Sequence, residues 1–239
     1  MTGLVVQHQP VEGTYRLGES LMRAGLRVDV RRTYAGDPVP ESADGLAGLV
    51  VMGGTMAAYA DDGFPTRQAE LALLRSAVER EVPTLGICLG AQLLAVAAGG
   101  DAVRGGGGLE VGWCSVRLTP EAVDDPLLGG LPSELVVLQW HADTYALPPA
   151  AVRLATGTAY PEQALRVGRA AWGLQFHLEL DAPGVEAFLR QSPEDAPGPV
   201  GLAVRAEAPG RLAALEGPLR TVFDRFAAQC LGRDGVTSG

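Results

Sequence analysis

Along the first hundred residues, short apolar runs alternate with longer stretches whose apolar positions repeat at helical spacing. Leu4-Val5-Val6 reads as a strand, and Leu17 to Ala24 as a helix with Gly25 as its cap. Arg27-Val-Asp-Val-Arg31 alternates as a strand does. Gly48-Leu-Val-Val-Met52 is a continuous apolar strand that runs into Gly53-Gly54. From Gln68 to Glu81 the spacing puts Leu71, Leu74 and Val78 on one helical face, with Val82 following. Pro83 to Ile87 is the next apolar strand, and Leu89 to Ala98 the next helix, stopped by Gly99-Gly100. This rhythm predicts βαβ units and an α/β fold. The sheet is expected to be open, mostly parallel and twisted, with helices on both faces.

The second half has a different texture. A glycine-rich loop, Arg104 to Leu109, precedes the alternating run Gly112-Trp-Cys-Ser-Val-Arg-Leu118. Leu135 to Leu138, Val152 to Ala155, Gln163 to Val167 and Ala171 to Phe176 are short, strand-like and separated by turns. They predict an antiparallel extension of the parallel sheet. From Pro193 to Gly210 the chain is rich in Pro and Gly and reads as a loop. An amphipathic helix is expected around Leu219 to Cys230. The whole, residues 1–239, is expected to be a single domain, with a C-terminal loop and helix segment from about 181. Gly105 to Gly108 lacks the spacing and the following helix of a phosphate-binding loop.

Composition narrows the chemistry. A hydrophobic content of 47% supports a substantial core, and a net charge of -9 argues against a nucleic-acid partner. All 19 basic residues are Arg, and the chain has neither Lys nor Asn. Schiff-base lysines, P-loop lysines and Cys-His-Asn triads are therefore excluded. Cys88, Cys114 and Cys230 are few, odd in number and without metal-ligand spacing, so a reducing cytoplasm is expected and no metal or cofactor. The first residues do not read as a signal peptide, and no apolar stretch is long enough for a membrane span.

One stretch stands out: Pro83-Thr-Leu-Gly-Ile-Cys-Leu-Gly-Ala-Gln-Leu-Leu-Ala95. A strand ends at Cys88, a helix starts after it, and Gly86 and Gly90 flank it at two residues either side. That is the pattern of a nucleophile elbow with Cys in place of Ser. A helix N-terminus favours thiolate, and the Leu89 N–H points where an oxyanion would develop. Gly53-Gly54 ends the preceding strand and is a candidate second donor. A base must come from three histidines. His8 reads as a loop residue with only Glu12 near it. His141-Ala-Asp143 and His177-Leu-Glu179 each place a carboxylate two residues on, which in an extended segment is the same face. Spacing alone does not choose between them.

Gly86-Ile-Cys-Leu-Gly-Ala-Gln92 together with Gly173-Leu-Gln-Phe-His-Leu-Glu179 resembles the class I glutamine amidotransferases. The resemblance runs from the first strand to about Leu180. Glu110-Val-Gly-Trp113 and Trp140-His-Ala-Asp143 make it similar to stand-alone proteins related to the glutaminase domain of GMP synthase. It implies a flavodoxin-like fold with Cys88 as nucleophile, His177 as general base and acid, and Glu179 as the orienting carboxylate. It implies an oxyanion hole from the Gly54 and Leu89 amides, and substrate binding by Gly53, Gln92, His141 and Asp143. Many members have Pro where Leu178 stands. Leu keeps the extended spacing possible.

The implied reaction is hydrolysis of the glutamine side-chain amide through a cysteinyl thioester, releasing ammonia and glutamate. The partners implied are a small molecule, glutamine or a γ-glutamyl compound, and a synthetase in trans, with neither nucleic acid nor membrane. The roughly sixty residues after Leu180 offer no room for a synthetase domain. Two alternatives stand beside this reading: a γ-glutamyl peptidase of the same fold, and a non-enzymatic binding or regulatory relative.

Overall fold

The computed structural model describes residues 2–232. Its strands and helices alternate at first: β1 (Thr2–Gln7), α1 (Tyr15–Arg23), β2 (Arg27–Arg32), β3 (Gly48–Val51), α2 (Arg67–Glu79), β4 (Thr84–Ile87) and α3 (Leu89–Ala97). A run of strands follows: β5 (Asp101–Arg104), β6 (Glu110–Leu118), β7 (Glu134–His141), β8 (Asp143–Ala146), β9 (Ala151–Gly157), β10 (Ala164–Val167) and β11 (Ala171–Leu174). Two helices, α4 (Ala182–Gln191) and α5 (Pro199–Cys230), complete the described chain.

Nine strands form one sheet in the order β2-β1-β3-β4-β11-β10-β9-β6-β7. From β2 to β11 the pairings are parallel; from β11 to β7 they are antiparallel. The predicted open α/β sheet with its antiparallel extension is what the chain forms. The inner parallel strands β1, β3, β4 and β11 bury their central residues because both faces are covered, whereas the edge strand β2 alternates with charged residues. Val5, Val50 and Leu85 pack on one side with α1 and the end of α5. Leu4, Val6, Leu49 and Val51 pack on the other with α2 and α3. Successive side chains of each strand thus enter opposite cores. β5 and β8 make a separate two-stranded ribbon beside α3.

The Pro- and Gly-rich stretch 193–210 is not loop throughout, because α5 begins at Pro199 and runs for 32 residues. Pro199 occupies the first helical position, where its missing N–H costs nothing. Val204, Ala208, Leu215, Leu219, Val222 and Phe226 recur at helical spacing and are buried, so tertiary packing overrides the interior prolines Pro209 and Pro218. Helix α4 is also absent from the sequence reading, as are β5 and β8. Its start is marked by Asp181, whose carboxylate accepts from Gly184 N–H at 2.7 Å, with Pro183 in the first turn. No helix among the described residues is long and apolar enough to cross a membrane.

Candidate active site

Ile87 ends β4 and Leu89 begins α3, so Cys88 alone makes the turn between them. It does so at φ 50° and ψ −106°, a conformation that costs a non-glycine residue about 1–3 kcal/mol. Backbone bonds hold it there: Cys88 N–H donates to Leu174 carbonyl at 2.7 Å, and its own carbonyl accepts from Ala91 N–H at 3.0 Å. The flanking glycines are steric requirements. A Cβ on Gly86 would collide with the Gly90 carbonyl, and one on Gly90 with the Val51 carbonyl. The result is a thiol at the carboxyl edge of the parallel strands, where open α/β sheets place ligands. It lies on the floor of a cleft of 470 Å³.

His177 arrives just beyond β11. Its N–H donates to Leu138 carbonyl at 2.9 Å, a single bridge that ties this segment to β7. Its Nδ1 lies 2.8 Å from Glu179 Oε1, and its ring packs edge-on against Phe188 of α4 at 4.9 Å. Both side chains are buried behind the cleft. Burial pushes the imidazole pKa down. The charge of Glu179, its hydrogen bond to the ring and the nearby Cys88 thiol outweigh it, so the pKa stands well above its usual value. A protonated imidazole facing a thiol favours the thiolate.

The extended i, i+2 geometry therefore joins His177 to the Glu179 carboxylate. It does not do so for His141. There Nδ1 faces the backbone carbonyl of Asp143 at 2.9 Å, and Nε2 lies 3.2 Å from Glu110 Oε2. Asp143 and His141 both line the cleft. Burial raises the Asp143 carboxyl pKa, opposed by the Arg104 charge and a hydrogen bond from Tyr59. Gln92 projects from α3 with Nε2 3.1 Å from Asp143 carbonyl and 3.3 Å from Gln175 Oε1. Gly54 lines the cleft with Cys88 and packs so closely that a Cβ would sit 2.9 Å from Leu89 Cδ2. Gly53 is buried behind it, against Glu12, with its carbonyl turned to His8.

Three residues outside the sequence reading of the site belong to this neighbourhood. His8 is not a plain loop residue: it is buried, with Nε2 2.8 Å from Glu70 Oε2 and Nδ1 2.9 Å from Gly53 carbonyl. Gln175 places Nε2 3.7 Å from Cys88 Sγ. Glu12 is buried and lies with His177 and Glu179 so that one donor atom from each falls within 4.8 Å of the others. Glu179 already engages Nδ1 of His177, and Glu12 is a third buried acid beside that pair. The sequence offered a signal for Gln175, which stands inside the quoted motif. It offered none for Glu70, which is 62 residues from its partner His8.

An open α/β sheet that displays a thiol at a strand–helix elbow, with an imidazole–carboxylate pair behind it, defines a class of proteins by itself. Within that class, the chain belongs to the class I glutamine amidotransferase family, whose profile matches residues 12–186. It is 32% identical over 174 residues to the glutamine amidotransferase-like protein YfeJ of Salmonella typhimurium, covering 72% of each chain. It is 36% identical over 149 residues to a glutamine-hydrolyzing GMP synthase of Porphyromonas gingivalis, covering 62% of this chain but 28% of that enzyme. Gamma-glutamyl peptidase 5 of Arabidopsis thaliana is 29% identical over 159 residues, covering 65% of this chain and 62% of its own. A glutamine amidotransferase of Thermotoga maritima has the same fold at a TM-score of 0.86, with 28% identity and coverage of 95% and 98%.

Proposed function

We propose that the protein hydrolyses the side-chain amide of glutamine through a thioester on Cys88, releasing ammonia and glutamate. The observation that carries this is the strained Cys88 turn, with the His177–Glu179 pair behind it. Thiolate Sγ attacks the amide carbon, and the oxyanion is held by the N–H groups of Gly54 and Leu89. Imidazolium His177 gives its proton to the departing nitrogen as the C–N bond breaks. Neutral His177 then takes a proton from water, which attacks the thioester and regenerates the thiolate. Glu179 holds the ring in one tautomer throughout. Gln92, His141 and Asp143 bind the amino-acid end, and Gly53 carries the oxyanion loop. The ammonia acceptor in this reading is a synthetase bound in trans.

A γ-glutamyl peptidase is the second reading. The cleft extends past Cys88 to Arg104, Gln191 and Asp195, which is more space than glutamine alone requires. One experiment addresses both. Glutamine, γ-glutamyl dipeptides and γ-glutamyl amines are compared for turnover, with Cys88→Ala as control. Ammonia release from glutamine that disappears in the control supports the first reading. Fast dipeptide cleavage with negligible ammonia release supports the second. Full activity of Cys88→Ala removes the thioester from both.

A further inference from the structure

The Gly53–Gly54 peptide carries a donor on which the proposed reaction depends, yet two adjacent glycines leave its orientation free to turn. The structure supplies what holds it. His8 follows β1 and is enclosed between the oxyanion loop and α2. Its Nδ1 is 2.9 Å from the Gly53 carbonyl oxygen, and its Nε2 is 2.8 Å from Glu70 Oε2. Glu70 is itself fixed, because Thr66 Oγ1 donates to its other oxygen at 2.7 Å. Both ring nitrogens of His8 thus face acceptors, and the ring donates at both ends. The ring packs edge-on against Phe64 at 5.6 Å. Burial opposes the charge on His8, but Glu70 and the Gly53 carbonyl outweigh it, and its pKa is raised.

Every described peptide bond is trans, so the carbonyl of Gly53 and the N–H of Gly54 point in opposite directions. A carbonyl directed at His8 sends the Gly54 N–H away from it. Gly54 lines the cleft with Cys88, and a Cβ built on it would meet both Leu89 Cδ2 at 2.9 Å and His8 Cβ at 3.0 Å. We propose that His8, anchored by Glu70, is a positioning residue that locks the Gly53–Gly54 peptide with its N–H toward the Cys88 site. This rests on the thioester reading above. The role belongs to a second buried histidine–glutamate pair, separate from His177 and Glu179, that acts on the oxyanion donor and not on the nucleophile.

The test separates steps that form an oxyanion from a step that does not. Alkylation of Cys88 by iodoacetamide is a displacement without a tetrahedral intermediate; acylation by glutamine or γ-glutamyl-p-nitroanilide passes through one. His8→Phe keeps a ring against Phe64 and removes both donors. Its kcat for acylation is expected to fall about 100-fold, as when an oxyanion donor is lost, with KM and the iodoacetamide rate near those of the parent. His8→Asn, whose side-chain amide can reach the Gly53 carbonyl, is expected to recover most of the loss. Equal losses in acylation and alkylation, no loss at all, or identical behaviour of Phe and Asn variants would overturn the proposal. If the parent protein turns over neither substrate, the thioester reading fails, and a crystal structure of His8→Phe decides this one. A rotated Gly53 carbonyl supports the lock, and an unchanged one refutes it.

Discussion

Gln175 Nε2 lies 3.7 Å from Cys88 Sγ, with both side chains buried. Gln175 Oε1 accepts in turn from Gln92 Nε2 at 3.3 Å, and Gln92 also donates to Asp143 carbonyl. A chain of amides therefore runs from the cleft wall to the sulfur. The Gln175 donor stabilises thiolate more than thiol, because a hydrogen bond to a charged acceptor is worth more than one to a neutral acceptor. Gln175→Leu is expected to slow iodoacetamide alkylation of Cys88 at neutral pH by about 10-fold, the lower end for losing such a bond. An unchanged rate constant would show that the amide only fills space.

Glu12 gives a pH signature. Burial raises its carboxyl pKa from 4.5 to about 7; the His177 charge opposes the rise, Glu179 adds to it, and His8 opposes it. The folded protein keeps this proton between those values while the unfolded chain releases it. Stability therefore falls as pH rises through the window, and the penalty is complete above 7. A shift of that size corresponds to about 3 kcal/mol. Glu12→Gln carries no titrating group there. Against the parent protein it is expected to be similar at pH 5 and more stable at pH 8 by up to about 3 kcal/mol. Urea unfolding at the two pH values reads the difference, and a gap that does not widen with pH would rule the buried proton out.

The parts of the fold visible in the sequence are those where one rule acts alone. Val5, Val50 and Leu85 sit in strands covered on both faces, so an uninterrupted apolar run announces them. The Cys88 elbow is legible because Gly86 and Gly90 answer to collisions that no other residue could avoid. Helix α5 is illegible where Pro209 contradicts it locally and packing of Val204, Ala208 and Leu215 overrides that. Strand β5, Asp-Ala-Val-Arg, is short and mostly exposed, and only its partner β8 defines it. His8 looked like a loop residue because its carboxylate comes from α2, and no spacing rule joins positions 8 and 70.

One buried acid, Asp125, gathers several donors beneath the antiparallel half. Asp125 Oδ1 accepts from the N–H groups of Leu127 and Leu128 at 2.9 and 3.1 Å, and from Trp172 Nε1 at 3.1 Å. Its Oδ2 lies 2.8 Å from Arg166 Nε. Removing the carboxylate would strand three buried donors and a guanidinium that is 23% exposed. Asp125→Ala is expected to lose about 3–5 kcal/mol, the range for breaking a buried pair. Asp125→Asn, which keeps one acceptor oxygen, should lose less. Chemical denaturation of both variants checks the order; equal losses would mean the charge itself, and not the acceptor, is what matters.

The interior prolines of α5 make the last expectation, and it depends on position. Pro209 is exposed in the middle of the helix, where it withholds an N–H from the Arg205 carbonyl. Alanine is favoured over proline at such a site by about 3 kcal/mol, partly offset because proline also restricts the unfolded chain. Pro209→Ala is expected to stabilise the protein by about 2 kcal/mol, or roughly 4–8 °C in Tm for a chain of this size. Pro218 is half-buried beside Leu219, so alanine there gains helix propensity and loses contact, and the net gain is smaller. Pro199 begins the helix, and Pro199→Ala should bring no gain. Thermal unfolding of the three variants tests the ranking. If Pro209→Ala were the least stable of them, the proline ring would have to be contributing to the groove it shares with Leu180 and Leu212, and the helix would be shaped by that contact.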